Sequence, residues 1–166
     1  MRILILGGAG MLGHHLWRRF HPAHEVWVTL RKPLAHYSGT GLFEPARTLA
    51  GVDVTNAESL LGAFRTARPE VVVNCVGIIK QLKEAKNPLV SLTVNSVLPH
   101  QLAQQCATAG ARLIHISTDC VFSGRTGNYT EDDVSDAEDL YGRTKFLGEV
   151  HEPHCLTLRT SIIGRE

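Results

Sequence analysis

Arg2-Ile3-Leu4-Ile5-Leu6-Gly7-Gly8-Ala9-Gly10-Met11-Leu12-Gly13 decides how the rest of the chain is read. Arg2–Leu6 is an apolar run that stops at glycine, which predicts a strand buried on both faces. Met11–Phe20 then carries helical spacing. Strand, glycine turn and helix stand in the order a pyrophosphate site requires. Gly7 permits the tight turn. Gly10 removes a Cβ where backbone must approach phosphate. Gly13 lets helix and strand pack closely. The start of the helix adds free N–H groups and a partial positive charge. The spacing is G-x-x-G-x-x-G rather than the commoner G-x-G-x-x-G, and such a turn can serve packing alone. Its place between an N-terminal strand and a helix favours nucleotide binding.

Outward from this turn, strand and helix alternate. Glu25–Leu30 reads as a second strand. Residues 31–45 hold Pro, Gly, Ser and Thr without a steady period and read as loop. Residues 48–54 predict a short third strand. Asn56 caps a helix to about residue 67. Residues 70–75 form a strong fourth strand. Asn87-Pro88 starts a long helix that Gly110 closes. Residues 111–117 read as strand five, 123–137 as irregular, 139 to about 151 as helix, and 155–160 as strand six. Continuous apolar strands alternating with helices predict an α/β fold: a doubly wound, Rossmann-like parallel sheet in the order 3-2-1-4-5-6, with helices on both faces. Ligands of such sheets bind at the carboxyl ends of the strands, near the switch between strands 1 and 4.

Bulk properties narrow the function classes. The 166 residues suit one domain. A net charge of +1 gives no footprint for nucleic acid or a polybasic membrane anchor. No apolar run approaches the ~20 residues that span a bilayer. The N-terminal strand is cut at once by glycine, unlike a signal peptide, so a cytoplasmic location is expected. The 4 cysteines (Cys75, Cys106, Cys120, Cys155) are widely and irregularly spaced and read as reduced thiols. No metal site is expected. His151-Glu152-Pro153-His154 resembles half a metalloprotease motif, but Pro153 breaks the helix that motif needs. His14-His15 lies beside the phosphate turn and reads mainly as packing and surface.

The end of strand 2 bears on the cofactor. NAD-binding domains usually carry Asp or Glu there. This chain has Leu30-Arg31-Lys32, and two cations suit the 2′-phosphate of NADP(H). NAD(H) remains the alternative, with the basic pair then a solvated strand end.

Tyr141-Gly142-Arg143-Thr144-Lys145 is a Y-x-x-x-K on an expected helix, so both side chains share a face. A lysine cation beside a tyrosine is expected to favour the phenolate and bring the hydroxyl toward acid–base work. Thr118, at the carboxyl end of strand 5, can offer a hydroxyl to the same substrate oxygen. Asn95, inside the long helix, is a candidate support for a proton-relay water near Lys145; otherwise it is an exposed or self-capping asparagine.

These pieces carry a resemblance. Gly7-x-x-Gly10-x-x-Gly13, Asp53-Val54, Asn74-Cys75-Val76-Gly77, Asn95, Ser117-Thr118-Asp119 and Tyr141-x-x-x-Lys145 stand in the order of the extended short-chain dehydrogenase/reductase superfamily. Ser117 to Gly124, Tyr129 to Asp133 and Tyr141 to Glu149 resemble dTDP-4-dehydrorhamnose reductases and related nucleotide-sugar reductases most. The resemblance implies reduction of a 4-keto group on a nucleotide-linked deoxysugar. Tyr141 would protonate the carbonyl oxygen. Lys145 would lower its pKa and hold the nicotinamide ribose, and Thr118 would bond the substrate oxygen. Gly7, Gly10, Met11, Leu12 and Gly13 would form the phosphate turn. Asp53 and Val54 would contact adenine, and Cys75, Val76 and Gly77 would line the cofactor with backbone.

Related 4,6-dehydratases carry Thr-Asp-Glu where this chain has Thr118-Asp119-Cys120. A thiol substitutes poorly for that acid, so dehydration is set aside. An NAD-dependent epimerase stays open, as does a non-catalytic NADP-binding regulatory subunit. Members of this superfamily place substrate residues in a second, C-terminal region. Residues 1–166 read as the cofactor domain alone, with that region missing. Self-association as a homodimer is a further expectation.

Overall fold

The computed structural model describes residues 1–162, so the tail at 163–166 lies outside the described residues. Six parallel strands form one sheet in the order β3-β2-β1-β4-β5-β6, as expected. They are β1 (Arg2–Leu6), β2 (Glu25–Leu30), β3 (Thr48–Ala50), β4 (Val71–Asn74), β5 (Arg112–Ile116) and β6 (Cys155–Leu158). The register runs Ile3 beside Val26 on one side and Val71 on the other, then Val71 beside Arg112 and Leu113 beside Cys155.

Period two along β1 divides the core. Leu4 and Leu6 join Leu60, Phe64, Leu98, Leu102 and Leu113 in one apolar layer. Ile3 and Ile5 join Trp17, Val26, Val28 and Val73 in the other. Each layer is closed by helices: α1 (Met11–Phe20) on the second, α2 (Ala57–Ala67) and α4 (Leu98–Ala109) on the first. Burial of these side chains is the main stabilising term, about 1.5–3 kcal/mol for each large one.

The caps read from sequence are present. Asn56 accepts the Ser59 N–H at 3.0 Å. Asn87 accepts from Leu89 at 3.0 Å and from Val90 at 3.4 Å. Several boundaries differ. The third strand ends at Ala50 because Gly51 turns the chain with φ +74°. The segment after β2 holds a 3-10 helix, Leu34–Thr40, rather than plain loop. The long helix is three pieces: α3 (Pro88–Ser91), a π-helical turn (Leu92–Val97) and α4. The last helix, α5, covers Leu140–Leu147 and stops well before residue 151. A Cβ on Gly148 would collide with the Asn95 carbonyl oxygen, so glycine lets the end of α5 pack close against that backbone. Among the described residues no helix is long and apolar enough to cross a membrane.

Candidate active site

The carboxyl ends of β1, β4 and β5 open into a cleft of about 680 Å³. Gly10, Met11 and Leu12 line it from the first turn, and Cys75, Val76 and Gly77 from the segment after β4. Thr118 contributes from the end of β5, and Tyr141 and Lys145 from α5. Gly7, Gly13, Arg31, Lys32, Asp53, Val54 and Asn95 do not line it.

The glycine turn is built as its spacing predicts. Gly7 has φ +83°, and a Cβ there would lie 3.0 Å from Val76 Cγ2. A Cβ on Gly13 would collide with the Gly7 carbonyl oxygen. Gly10 caps α1 without a side chain, and the first turn carries no acid. Among the described residues no side chain caps the opening N–H groups of α1, at the end where the helix dipole is positive.

The outlying residues have their own places. Arg31 and Lys32 stand exposed at the end of β2, with Lys32 Nζ 3.1 Å from His36 Nε2. The Asp53 carboxylate accepts the Thr55 N–H at 2.9 Å and the Thr55 hydroxyl at 2.7 Å. Those bonds, helped by the Arg31 charge, hold it below the usual aspartate value. Val54 packs against the larger apolar layer.

Asn95 is neither exposed nor self-capping. It is 1% exposed within the π turn. Its Oδ1 accepts the Ile78 N–H at 2.8 Å, and its Nδ2 donates to the Ile78 carbonyl at 3.0 Å. It clamps the segment after β4. A Cβ on Gly77 would lie 3.5 Å from Asn95 Oδ1 and 4.0 Å from Lys145 Nζ, so both side chains border that glycine.

On α5, Asp139 caps the helix by accepting the Gly142 N–H at 2.7 Å. A Cβ on Gly142 would collide with the Cys120 carbonyl oxygen, so glycine lets the helix start close against the segment after β5. Lys145 is 4% exposed, and its Nζ donates to the Ile116 carbonyl at 2.6 Å. Burial pulls its ammonium down to about 8, against the opposing pull of Glu149.

The electrostatics of Tyr141 depart from expectation. Lys145 was expected to lower it. Burial instead raises the hydroxyl above the usual phenol value. The neighbouring Thr118 hydroxyl and the charge of Lys80 pull the other way. The cation over the ring is Lys80, 5.5 Å from the centroid.

Sequence reasoning did not single out Lys80. It lines the cleft and pairs with Asp139 at 2.7 Å. No spacing rule links positions 80 and 139; only the folded chain joins them. Behind Thr118, Ser117 donates to Glu149 at 2.8 Å. Arg159 in turn donates to both Glu149 oxygens, at 2.9 and 2.8 Å. A second cavity of about 420 Å³ adjoins at Asp119 and Cys120. Its wall includes Phe122 and Tyr129, stacked at 4.4 Å, with Arg159 5.0 Å from the Phe122 ring. The four cysteines are free thiols. No group of three or more His, Cys, Asp or Glu is gathered for a metal among the described residues.

Comparison with known proteins agrees with this architecture. The chain is 33% identical over 149 residues to a dTDP-4-dehydrorhamnose reductase of Streptomyces griseus, covering 89% of this chain and 43% of that protein. It is 30% identical over 148 residues to methionine adenosyltransferase 2 subunit beta of Rattus norvegicus, covering 89% and 41%. The chain thus spans less than half the length of these relatives. A structure of the Bordetella bronchiseptica enzyme WbmG in complex with NAD and UDP superposes with a TM-score of 0.78 at 26% identity, covering 96% of this chain and 52% of that one. The family model described as RmlD substrate binding domain matches residues 1–164. With the glycine turn, the parallel sheet and the Y-x-x-x-K helix all in place, the chain belongs to that family, within the extended short-chain dehydrogenase/reductase superfamily.

Proposed function

We propose that this chain is the cofactor-binding part of a reductase that uses NADPH to reduce a 4-keto group on a nucleotide-linked deoxysugar. The observation that carries the reading is the single cleft joining the turn at Gly10-Met11-Leu12 to Thr118, Tyr141 and Lys145. The residues fit a dinucleotide. Among the described residues the α1 N-terminus has no side-chain cap, and Gly10, which lines the cleft there, presents backbone without a Cβ. When bound, the nicotinamide supplies the hydride that goes to the carbonyl carbon.

The chain's own residues do the rest. The first turn of α1 holds the pyrophosphate through backbone N–H groups. Cys75, Val76 and Gly77 line the cofactor, with Asn95 fixing the neighbouring Ile78. Asp53 and Val54 flank the adenine. Arg31 and Lys32 bind the 2′-phosphate, which favours NADPH over NADH. Thr118 bonds the substrate oxygen. Tyr141 gives its hydroxyl proton to that oxygen, and its raised pKa keeps the proton in place until the oxygen gains charge. Lys145 holds the nicotinamide ribose.

A second reading has support of its own. The 30% identity to methionine adenosyltransferase 2 subunit beta favours a chain that binds the cofactor and a partner protein without turnover.

Calorimetric titration with NADPH and NADH tests the first link. Tighter NADPH binding is expected. Arg31→Ala/Lys32→Ala should weaken NADPH by roughly tenfold or more and leave NADH nearly unchanged. Equal or NADH-favoured binding removes the NADP assignment; no binding to either removes the dinucleotide reading. Tyr141→Phe then separates the two functions: a reductase loses turnover, whereas a regulatory chain keeps its partner affinity.

A further inference from the structure

Lys80 is a cation in the cleft to which neither the motifs nor the chemistry above gives a role. Its Nζ sits 2.7 Å from Asp139 Oδ2 and 5.5 Å from the Tyr141 ring centroid. Asp139 is also the cap of α5. One carboxylate therefore fixes both the start of the helix that carries Tyr141 and the lysine over its ring. Lys145, the lysine expected to tune Tyr141, is turned to the Ile116 carbonyl.

The charges around Tyr141 come from three segments. Asp119 and Cys120, after β5, push its pKa upward, while Lys80, after β4, pushes it downward. Arg143 and Lys145 share its helix, where Arg143 Nε donates to the Ala137 carbonyl at 3.1 Å. The hydrogen bond that Lys80 donates to Asp139 keeps its ammonium above the usual lysine value, so its charge persists wherever Tyr141 works. A cation about 6 Å or less from a ring centroid is attracted to its face. The same charge favours the anion left behind when a phenol gives up its proton.

We propose that Lys80 is a positioning residue for the acid–base chemistry of Tyr141, held over the ring by Asp139 to stabilise the phenolate. The proposal rests on Tyr141 being the proton donor. As the O–H bond of Tyr141 breaks and its proton joins the substrate oxygen, the phenolate charge develops beneath an ammonium that keeps its own protons. Lys80 makes no bond to the reacting atoms.

The test reads Tyr141 directly and needs no substrate. Protein with 13Cζ-labelled tyrosine gives signals for its 3 tyrosines, Tyr37, Tyr129 and Tyr141. Tyr141→Phe identifies the relevant one. Lys80 is 45% exposed at its side chain, so substitutions there are accommodated on the surface. Lys80→Gln should raise the Tyr141 midpoint by roughly one pH unit, and Lys80→Arg should return it close to the original. An unmoved midpoint in Lys80→Gln overturns the proposal. So does a midpoint in Lys80→Arg displaced as far as in Lys80→Gln, because the charge is then not the cause. Failure of the reductase reading would appear elsewhere, as turnover that survives Tyr141→Phe, with the midpoint result standing independently.

Discussion

Asn95 holds Ile78 by both of its backbone groups, at 2.8 Å through Oδ1 and 3.0 Å through Nδ2. Nδ2 also reaches Thr144 Oγ1 at 3.3 Å, and the adjacent Ser96 hydroxyl donates to the Thr144 carbonyl at 2.8 Å. One π turn thus joins the segment after β4 to the helix bearing Tyr141 and Lys145. Asn95→Ala strips partners from two backbone groups in a partly buried segment. We expect a loss of about 2–3 kcal/mol in urea unfolding, together with weaker dinucleotide binding. A loss under about 0.5 kcal/mol would show that water replaces the clamp.

The pair Glu149–Arg159 lies behind Thr118, with side chains 2% and 20% exposed. Glu149 receives two bonds from Arg159 and one from Ser117. Arg159→Met leaves a buried carboxylate without its cation and should cost about 3–5 kcal/mol. Glu149→Gln combined with Arg159→Met removes both charges while an amide oxygen still accepts from Ser117. The double variant should be more stable than Arg159→Met alone. If the two costs simply add, the pair is not coupled as its geometry implies.

The glycine turn, the sheet order and the helix carrying Tyr141 and Lys145 were legible because each follows from local pattern. Gly7 and Gly13 announce a tight turn; apolar runs announce buried strands. The end of α5 was not legible. Residues 148–151 do not forbid helix, but there Gly148 packs against the Asn95 backbone, more than fifty positions earlier in the chain, and both backbone groups of Val150 bond Thr157 Oγ1. The environment of Tyr141 was hidden for the same reason. Spacing puts Lys145 on its face, but burial and a carbonyl at the end of β5 decide where that ammonium points. Lys80 has no pattern at all, since its partner Asp139 meets it only through the fold.

His115 should make the fold acid-sensitive. It is fully buried in β5, and its Nδ1 lies 3.1 Å from Asn74 Nδ2. Asn74 Oδ1 already accepts the Val76 N–H, so its amide nitrogen faces the ring as donor and the ring proton sits on Nε2. That Nε2 has no hydrogen-bond partner among the described residues. Burial, and then the Lys145 charge, pulls the imidazole down to about 3. Its folded value lies below the unfolded value near 6.5, so the unfolded chain takes up the proton first. Stability from this group is intact above about pH 6.5 and declines as pH falls toward 3. Between pH 6 and 4 the loss should be on the order of 2 kcal/mol. In His115→Gln that component vanishes, so the stability gap between wild type and variant narrows with acid. A gap constant from pH 7 to 4 would mean that the imidazolium is tolerated in the folded state.

Lys145 should act with the same sign at the alkaline end. Its folded value of about 8 lies below the unfolded lysine value near 10.4. Below pH 8 both states are protonated, and the folded state carries the full cost of a buried cation. From pH 8 to about 10.4 the unfolded chain binds more protons than the folded one, so stability contributed by this group rises with pH. Burial holds Cys75 and Cys106 up at about 12, and their ionisation in the unfolded chain works in the opposite direction. That effect is common to wild type and variant and cancels in a comparison. Lys145→Met should therefore lose ground to wild type by on the order of 2 kcal/mol between pH 7 and 10, read from urea midpoints at both values. A difference that stays flat would place the ammonium in contact with water, free of the desolvation that its burial beside Ile116 implies.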